Sequence, residues 1–386
     1  MRYQQVGDWH LSRLGLGCYG LSGAYGVVDK AAFERTIRTA FDQGVNFFDT
    51  AQGYGEAEAF LGRVLAPIRD HVFIATKLSG EDGKPDLSAG AVRKACLASL
   101  ERFQIEVIDL YQIHFDDPHT PVAETVGALN SLVAEGLIRR YGVSHLTVER
   151  VKAYAQTGNL FSVLMEFSPV ARTAAQTLLP ICDKHKLAGI AFSVTGRGIL
   201  SGQYSAAHVF DAGDIRRMDP LFRYDCFDSA QRIREFMACL GEGYQATAVQ
   251  IGIAWVLAHP QITCALTGTS SPEHLAENLA ACEIELSQED LDALNQFLDD
   301  EDAQLADAQS ETIRKILREP LAADPERAFN DLVYVLETIT SLGYVGEDEV
   351  MAVFMELFVL RERLDDRVQR KLVGIQDIIR GLMIRD

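Results

Sequence analysis

Four ionisable side chains occupy positions from which they could do chemistry together. Asp49, Lys77 and His114 each come directly after a short apolar run, and Tyr54 follows Asp49 in a loop with a glycine on either side of the phenol. A carboxylate, an ammonium, an imidazole and a phenol are suited to moving a proton to or from a substrate oxygen. The glycines allow a tight backbone turn, which could bring the phenol back over the ends of the runs.

A phenol is a weak acid, so its surroundings decide whether it exchanges a proton at neutral pH. A nearby ammonium favours the phenolate, and Lys77 is therefore expected to lower the pKa of Tyr54. In this hypothesis Asp49 keeps Lys77 charged and oriented, while His114 hydrogen-bonds a substrate carbonyl. The four residues thus predict general acid–base chemistry at a carbonyl, with a cofactor supplying the hydride.

Each of the four residues also has another interpretation when it is taken alone. Asp49 could cap a helix, and a histidine after a strand is more often structural than catalytic. Tyr54 could be a turn residue and Lys77 a solvated lysine, or Lys77 could form a Schiff base in a barrel aldolase or isomerase. The occurrence of all four at strand ends favours the catalytic interpretation.

The apolar runs and the segments between them predict the elements that position these residues. Segments of helical period alternate with the runs from about residue 12 to residue 285, and include residues 31–41, 91–103, 122–135 and 148–156. The eight runs are residues 14–16, 45–48, 72–76, 107–113, 138–143, 161–165, 188–192 and 262–267. Continuous apolar runs are typical of buried parallel strands.

Eight such strand-then-helix units predict an α/β fold, a (β/α)8 TIM barrel. An open doubly wound sheet is the alternative, but no GxGxxG motif follows an early strand. In a barrel the carboxyl ends of the strands converge on one face, so Asp49, Lys77 and His114 are expected in one pocket. One connection, residues 196–245, is long enough to be a functional loop or a lid.

The character of the sequence changes near residue 306. We predict a barrel over residues 1–305 and an α-helical bundle over residues 306–386. Residues 350–360 are apolar nearly all round, so a helix there needs a second surface. That surface is provided either by neighbouring helices, at 326–342 and 366–384, or by another subunit, which makes a homo-oligomer possible.

Composition and charge exclude several classes of protein. The chain has 386 residues and a formal net charge of −19, which argues against a nucleic-acid partner or an anionic membrane partner. Seven cysteines without a CxxC pair favour reduced thiols and a cytoplasmic location. The N-terminus has no signal-peptide pattern, and no apolar stretch is long enough to span a membrane. His119 near Asp116 and Asp117 lacks a known ligand spacing, so no metal site is predicted.

The sequence resembles the aldo-keto reductase superfamily over about residues 1–300. The resemblance is carried by DTAQGYG at 49–55, IATK at 74–77, IDLYQIH at 108–114, GLIRRYGVS at 136–144 and GTSSPEHLAEN at 268–278. It implies a (β/α)8 barrel and reversible NAD(P)H-dependent reduction of a carbonyl substrate, such as an aldehyde or sugar. Asp49, Tyr54, Lys77 and His114 match the family's catalytic tetrad.

The resemblance also implies a binding site for NADP or NAD. Ser144 matches the serine that contacts the carboxamide, and Phe192 matches the aromatic residue beneath the nicotinamide. Gly196 and Arg197 fall in the loop over the pyrophosphate. The adenosine segment, 268–278, supplies the remaining cofactor-binding candidates, namely Gly268, Ser270, His274, Glu277 and Asn278.

Several positions depart from the family pattern. His145, also a cofactor-binding candidate, replaces the usual Asn, and Glu166 stands where the sixth strand usually ends in Gln. Phe192 stands where Tyr is more common. A 2′-phosphate prefers Arg or Lys partners, and the adenosine segment offers only Gly268, Thr269, Ser270 and His274. The choice between NADPH and NADH therefore stays open.

Within the family the sequence looks most like the aldose and sugar-lactone dehydrogenases and the potassium-channel β-subunit group. The second group leaves open a nicotinamide-binding redox sensor or regulatory subunit with little turnover. The substrate pocket is represented by Tyr19, Phe115, Asp116 and residues 222–227, which do not identify the substrate.

Overall fold

A closed barrel of eight parallel strands forms the centre of the fold. The computed structural model describes residues 1–80, 85–211, 213–318, 331 and 334. The barrel strands are β3 (Leu14–Gly17), β4 (Phe47–Asp49), β5 (Phe73–Leu78), β6 (Ile108–Ile113), β7 (Ile138–Ser144), β8 (Ser162–Glu166), β9 (Ala188–Phe192) and β10 (Ile262–Thr267). The predicted TIM barrel is confirmed, and each predicted apolar run overlaps one strand.

The strands are buried because helices cover the outside of the barrel and side chains fill its inside. Every residue of β4, β6 and β10 is buried. The barrel closes where β10 pairs in parallel with both β9 and β3, so that Ala265 lies opposite Ala191 on one side and Leu14 on the other. Burial on both faces explains why the sequence shows continuous apolar runs instead of alternation.

A short antiparallel hairpin precedes the barrel and was not predicted from the sequence. Its strands are β1 (Tyr3–Val6) and β2 (Trp9–Ser12), and Gly7 between them has a φ of 59°, which a glycine adopts without strain. Trp9 packs on Phe73 and Phe161 with ring centres 4.7 and 4.6 Å away. Because Phe73 begins β5 and Phe161 precedes β8, the hairpin covers the amino ends of the strands.

Helices follow the barrel strands, as the sequence predicts. They are α1 (Lys30–Asp42), α2 (Ala57–Leu65), α3 (Ala89–Phe103), α4 (Val122–Ala134), α5 (Val148–Thr157), α6 (Thr173–Thr177), α7 (Leu179–His185), α8 (Tyr224–Glu242), α9 (Ala248–Ala258), α10 (Pro272–Ala280) and α11 (Gln288–Arg318). Local signals set several of their starts. For example, Thr247 and Gln250 form a reciprocal capping box at α9, which satisfies two otherwise unpaired N–H groups.

The chain divides into two compact units. The first comprises residues 1–203, 211–214 and 234–294, and the second comprises residues 204–210, 215–233 and the described residues from 295 onward. Within the second unit, the buried carboxylate of Glu301 accepts hydrogen bonds from Ser229 at 2.9 Å and Arg232 at 2.8 Å. Helix α11 continues through residue 305 without a break, and the domain boundary placed there stays a prediction.

The long connection over residues 196–245 is mainly helical turns followed by α8. Most of the predicted C-terminal bundle lies outside the described residues. This includes all of the helices proposed at 350–360 and 366–384, and all of the helix proposed at 326–342 except residues 331 and 334. Among the helices that the structure describes, none combines the length and the apolar character needed to cross a membrane.

Candidate active site

Asp49 and Lys77 form a buried ion pair at the carboxyl ends of neighbouring strands. Asp49 is the last residue of β4, and Lys77 lies near the end of β5. The Lys77 ammonium donates to Asp49 Oδ1 at 2.5 Å and to the Thr50 carbonyl at 2.8 Å, and the lysine is only 2% exposed. The interpretation of Lys77 as a solvated lysine is therefore wrong.

Tyr54 and His114 lie beside this ion pair. The Lys77 ammonium is 5.2 Å from the ring centre of Tyr54, and the Tyr54 and His114 rings are 5.8 Å apart, edge to face. The loop turns sharply, with Tyr54 N–H donating to the Ala51 carbonyl at 3.0 Å and Gly55 at a φ of +62°. The structure thus brings together all four residues that the sequence singled out.

The Tyr54 phenol is held in its protonated form. Burial raises the pKa of Tyr54 well above its ordinary value, and the negative charge of Asp49 adds to this effect. The net shift is therefore upward in the protein without its ligands, whereas the sequence analysis expected the pKa to be lowered. Asp49 lies 2.5 Å from the ammonium, so its carboxylate offsets part of the positive field that Lys77 exerts on the phenol.

His114 is a neutral imidazole at physiological pH. It is 5% exposed, and burial lowers its pKa to about 2, with the positive charge of Lys77 acting in the same direction. A neutral imidazole carries one N–H and one lone pair, so it can donate a hydrogen bond to a carbonyl oxygen without bringing a charge into the site.

Gln112 and Ser79 belong to the same cluster, although the sequence analysis did not single them out. Gln112 Nε2 donates to Asp49 Oδ2 at 3.2 Å, and Ser79 Oγ lies 2.7 Å from His114 Nδ1. Each lies two residues from a member of the cluster along an extended segment, which places both side chains on the same face. The period of two around Lys77 and His114 was the signal that could have found them.

Ser144, His145 and Phe192 line a cavity, and the ring of His145 lies 5.6 Å from that of His114. The cavity has a volume of about 140 Å³ and is lined by these residues together with Glu166 and Leu164. Ser144 Oγ lies 2.6 Å from His145 Nδ1. The imidazole of His145 stacks on Phe192 with ring centres 5.3 Å apart. His145 has a φ of 46°, a conformation that the usual Asn of the family also tolerates.

Glu166 and Arg197 form an ion pair at the same cavity. Glu166 ends β8, and its Oε1 lies 2.9 Å from Arg197 Nη2. Gly196 and Arg197 have φ angles of 58° and 53°, so the backbone turns tightly just after β9. Glu166, which stands where the family usually has Gln, therefore places a carboxylate beside Arg197 and forms an ion pair with it.

The adenosine segment begins directly after β10. Ser271 caps α10 and accepts from the His274 N–H at 3.2 Å, while Gly268, Ser270 and His274 are exposed. Asn278 is buried and donates to Thr267 Oγ1 at 2.6 Å, and Glu277 accepts from Thr247 Oγ1 at 2.9 Å. Of the five candidates, three face solvent, while Asn278 and Glu277 have partners within the protein.

The chemistry of these residues fits a nicotinamide dinucleotide. Phe192 offers an aromatic ring for stacking, and the Ser144 hydroxyl can bond a carboxamide. The first turn of α10 offers backbone N–H groups that favour phosphate. No side chain is present at Gly268, where an added Cβ would only reach ordinary contact at 3.6 Å from the Gly17 carbonyl.

The remaining substrate-pocket candidates have different surroundings. Tyr19 packs against Tyr54 with ring centres 4.8 Å apart, and Phe115 stacks on His114 at 4.2 Å. Asp116 instead accepts from Arg150 Nε at 2.8 Å. Residues 222–227 belong to the second compact unit.

Comparison with known proteins identifies the family. Residues 13–299 match the model of the aldo/keto reductase family. The chain is 31% identical to an aldo-keto reductase of Strobilurus tenacellus, over 77% of this chain and 92% of that protein. It is also 31% identical to the NADH-specific methylglyoxal reductase of Escherichia coli K12, over 73% and 93%.

A solved structure gives the same result. The glycerol dehydrogenase from Gluconobacter oxydans superposes with a TM-score of 0.70 at 29% identity, over 77% of this chain and 94% of that one. The family model alone spans most of the chain, and the observed fold is the (β/α)8 barrel that the resemblance implies. The chain therefore belongs to the aldo/keto reductase family.

Proposed function

We propose that this protein is an NAD(P)-dependent carbonyl reductase and alcohol dehydrogenase in which Tyr54 is the general acid and base. The observation that supports this most is the position of the protonated Tyr54 phenol beside the Lys77–Asp49 ion pair and the neutral His114 imidazole. Few other reactions need a phenol, an ammonium and an uncharged hydrogen-bond donor in one buried cluster.

Each residue of the cluster has one role in this proposal. Held at Ser144, His145 and Phe192, a nicotinamide cofactor would supply the hydride for the carbonyl carbon. The Tyr54 hydroxyl donates its proton to the carbonyl oxygen, which becomes the alcohol, and the phenolate that remains is stabilised by the Lys77 ammonium. His114 donates a hydrogen bond to the same oxygen and orients it. In the oxidative direction the Tyr54 phenolate accepts the proton.

Lys77 is poorly placed to act as a Schiff-base nucleophile. Its ammonium is bound to the Asp49 carboxylate and the Thr50 carbonyl, and it is almost completely buried. A Schiff-base nucleophile must present its nitrogen to the substrate, whereas this nitrogen is enclosed and donates to two oxygens of the protein. The arrangement therefore supports an electrostatic role for Lys77.

We propose NADP or NAD as the cofactor, without a preference. The binding residues are Ser144, His145 and Phe192 at the nicotinamide end and Gly196 and Arg197 at the turn after β9. The adenosine end is Gly268, Ser270, His274, Glu277 and Asn278. The family resemblance supports NADP, and the NADH-specific relative from Escherichia coli supports NADH.

The substrates proposed are small aldehydes, ketones and sugars or the alcohols derived from them. Tyr19, Phe115 and Phe192 place aromatic rings around the reacting position, and such rings pack well against C–H surfaces. Methylglyoxal and glycerol, named for two of the relatives, are suitable first compounds.

The experiment has two stages. Purified protein is titrated with NADH and NADPH by fluorescence quenching, and aldehydes, ketones and sugars are then screened at saturating cofactor. We expect saturable binding of at least one cofactor and reduction of at least one carbonyl compound. Tight cofactor binding with no turnover across the screen would instead support the redox-sensing or regulatory alternative.

Two further properties are proposed with this function. All seven cysteines are free thiols, which is consistent with a reducing, cytoplasmic location. We also propose that assembly into a homo-oligomer uses the C-terminal segment, residues 306–386. Removing residues 319–386 should leave cofactor binding intact and reduce the mass measured by light scattering. An unchanged mass in a well-behaved truncated protein would contradict the assembly proposal.

A further inference from the structure

Ser79 and His114 occupy adjacent positions just beyond the ends of β5 and β6. Leu78 and Ile113 are paired in the barrel, and the His114 N–H donates to the Leu78 carbonyl at 3.0 Å. This continued pairing brings the next side chains together, with Ser79 Oγ 2.7 Å from His114 Nδ1. We propose that Ser79 is a positioning residue that fixes His114 in the tautomer with hydrogen on Nε2.

The hydrogen-bond inventory of the two side chains selects this tautomer. His114 is uncharged, so only one of its ring nitrogens carries hydrogen. Within the part of the chain that the structure describes, Ser79 Oγ has His114 Nδ1 as its hydrogen-bond partner and no other. If Nδ1 carried the hydrogen and donated to Ser79, the serine hydrogen would lack an acceptor. If Ser79 donates to Nδ1, both the hydroxyl hydrogen and the nitrogen lone pair are satisfied.

The tautomer decides what the other ring nitrogen offers to a substrate. With Nδ1 occupied by the Ser79 hydroxyl, Nε2 bears the N–H and can donate to a carbonyl oxygen. In the opposite tautomer Nε2 would present a lone pair, which repels that oxygen. The hydrogen bond from His114 Nε2 to a substrate carbonyl rests on the proposed function, whereas the tautomer of His114 does not.

The loop that carries Tyr54 holds Ser79 in place. The Ser79 N–H donates to Gln52 Oε1 at 3.4 Å. A side chain at Gly53 would come within 3.1 Å of Ser79 Oγ, so the glycine leaves room for the hydroxyl. The same short loop therefore carries Tyr54, the proposed acid, and contacts Ser79, which sets the tautomer of His114.

The structure contains a matched control for this pair. Ser144 Oγ lies 2.6 Å from His145 Nδ1, so a second serine is bound to a second histidine at the end of β7. The two imidazoles are 5.6 Å apart. Ser144→Ala removes an equivalent bond at a similar depth, but it leaves the Ser79–His114 bond intact.

The direct test is ¹⁵N NMR of the histidine side chains in the protein without ligands. His114 is assigned by the signals lost in His114→Gln. We expect the wild type to show Nδ1 without hydrogen and Nε2 with hydrogen, Ser79→Ala to show a mixture of tautomers, and Ser79→Thr to restore one. Ser144→Ala should leave the hydrogen of His114 on Nε2. Hydrogen on Nδ1 in the wild type, or an unchanged His114 pattern in Ser79→Ala, would overturn the proposal.

Kinetics give a second readout, and the cofactor affinity measured beside them distinguishes the loss of this hydrogen bond from a loss of folding. We expect kcat/KM for carbonyl reduction to fall about tenfold in Ser79→Ala, the loss expected for one neutral hydrogen bond, while cofactor affinity stays within about twofold. Ser79→Thr should recover most of the loss. If Ser79→Ala does not fold, Ser79→Cys replaces it, because a thiol is a weaker donor of similar size. Absence of turnover in the wild type would count against the proposed function alone, since the tautomer can still be measured.

Discussion

The Lys77 ammonium lies 2.5 Å from Asp49 Oδ1 and 5.2 Å from the ring centre of Tyr54. Its charge is thus balanced by Asp49 while the phenol is protonated. When a phenolate forms on Tyr54, the same ammonium is already in place beside it. Because the group does not have to move or be desolvated at that moment, its stabilising effect is available at no cost of reorganisation.

This arrangement predicts different outcomes for the two members of the ion pair. Lys77→Met should abolish most carbonyl reduction at neutral pH, since the phenolate loses its neighbouring charge. Asp49→Asn should reduce activity less, because the ammonium remains. Steady-state kinetics of both variants, with circular dichroism as the check on folding, measure the difference.

A double variant separates catalysis from folding. Lys77→Met alone leaves the Asp49 carboxylate buried without its counter-ion, and breaking a buried pair in this way costs about 3–5 kcal/mol. Lys77→Met with Asp49→Asn removes that charge, so the double variant should be more stable than Lys77→Met and equally inactive. If Asp49→Asn were the more damaging change in a folded protein, Asp49 would have a direct role in the reaction.

Cofactor choice is predicted from the adenosine segment. We expect NADPH to be preferred over NADH by less than about tenfold, or NADH to be preferred, because no guanidinium or ammonium lies within residues 268–278. A charge-assisted hydrogen bond to phosphate contributes about 1.5–3 kcal/mol. His274→Arg should therefore raise NADPH affinity selectively, while His274→Gln should not. Fluorescence titration with both cofactors measures the ratio.

Two arginines near the site, Arg197 and Arg35, are the candidates if NADPH is strongly preferred. A wild-type preference for NADPH above a hundredfold would show that another cation reaches the 2′-phosphate. Arg197 is already held by Glu166 at 2.9 Å. Arg35 on α1 has a favourable charge interaction with Glu273 in the first turn of α10, so it lies near the adenosine segment. Loss of the NADPH preference in Arg35→Gln would identify Arg35 as the cation that binds the 2′-phosphate.

Stability toward acid should depend on His114. Burial lowers its pKa from 6.5 to about 2, so between these pH values the unfolded chain binds a proton that the folded chain excludes. The free energy of unfolding contributed by this site is therefore present above pH 6.5 and is lost as the pH falls toward 2. His114→Gln should lose less stability between pH 7.5 and pH 5 than the wild type does.

Urea unfolding at the two pH values tests this prediction. The exposed His119 provides the control, and His119→Gln should follow the wild type. If the free energy of unfolding had the same pH dependence in His114→Gln as in the wild type, His114 would bind a proton in the folded protein as readily as in the unfolded chain.

The barrel was predictable because burial on both faces leaves a simple pattern. Residues 108–113 and 262–267 are continuously buried strands, and the mainly apolar runs that contain them could be recognised one by one. The hairpin left no such pattern. Residues 3–6 read YQQV and are mostly exposed, so neither alternation nor a continuous apolar run marked them as a strand.

The positions of the site residues followed from topology, whereas their electrostatics did not. Any parallel barrel gathers Asp49, Lys77 and His114 at one face. The sign of the Tyr54 pKa shift depends instead on how deeply the phenol is buried and on the negative charge of Asp49 near it, and neither can be read from residue order.

The most direct test of the central claim is the effect of Tyr54→Phe on carbonyl reduction at saturating cofactor. The variant keeps the aromatic ring that packs on Tyr19 and removes the hydroxyl. We predict that kcat falls by about 10²–10⁴-fold, the usual loss for a general acid, while the cofactor Kd measured by fluorescence stays close to that of the wild type. Turnover near the wild-type rate in a folded, cofactor-binding Tyr54→Phe protein would contradict the assignment of Tyr54 as the proton donor.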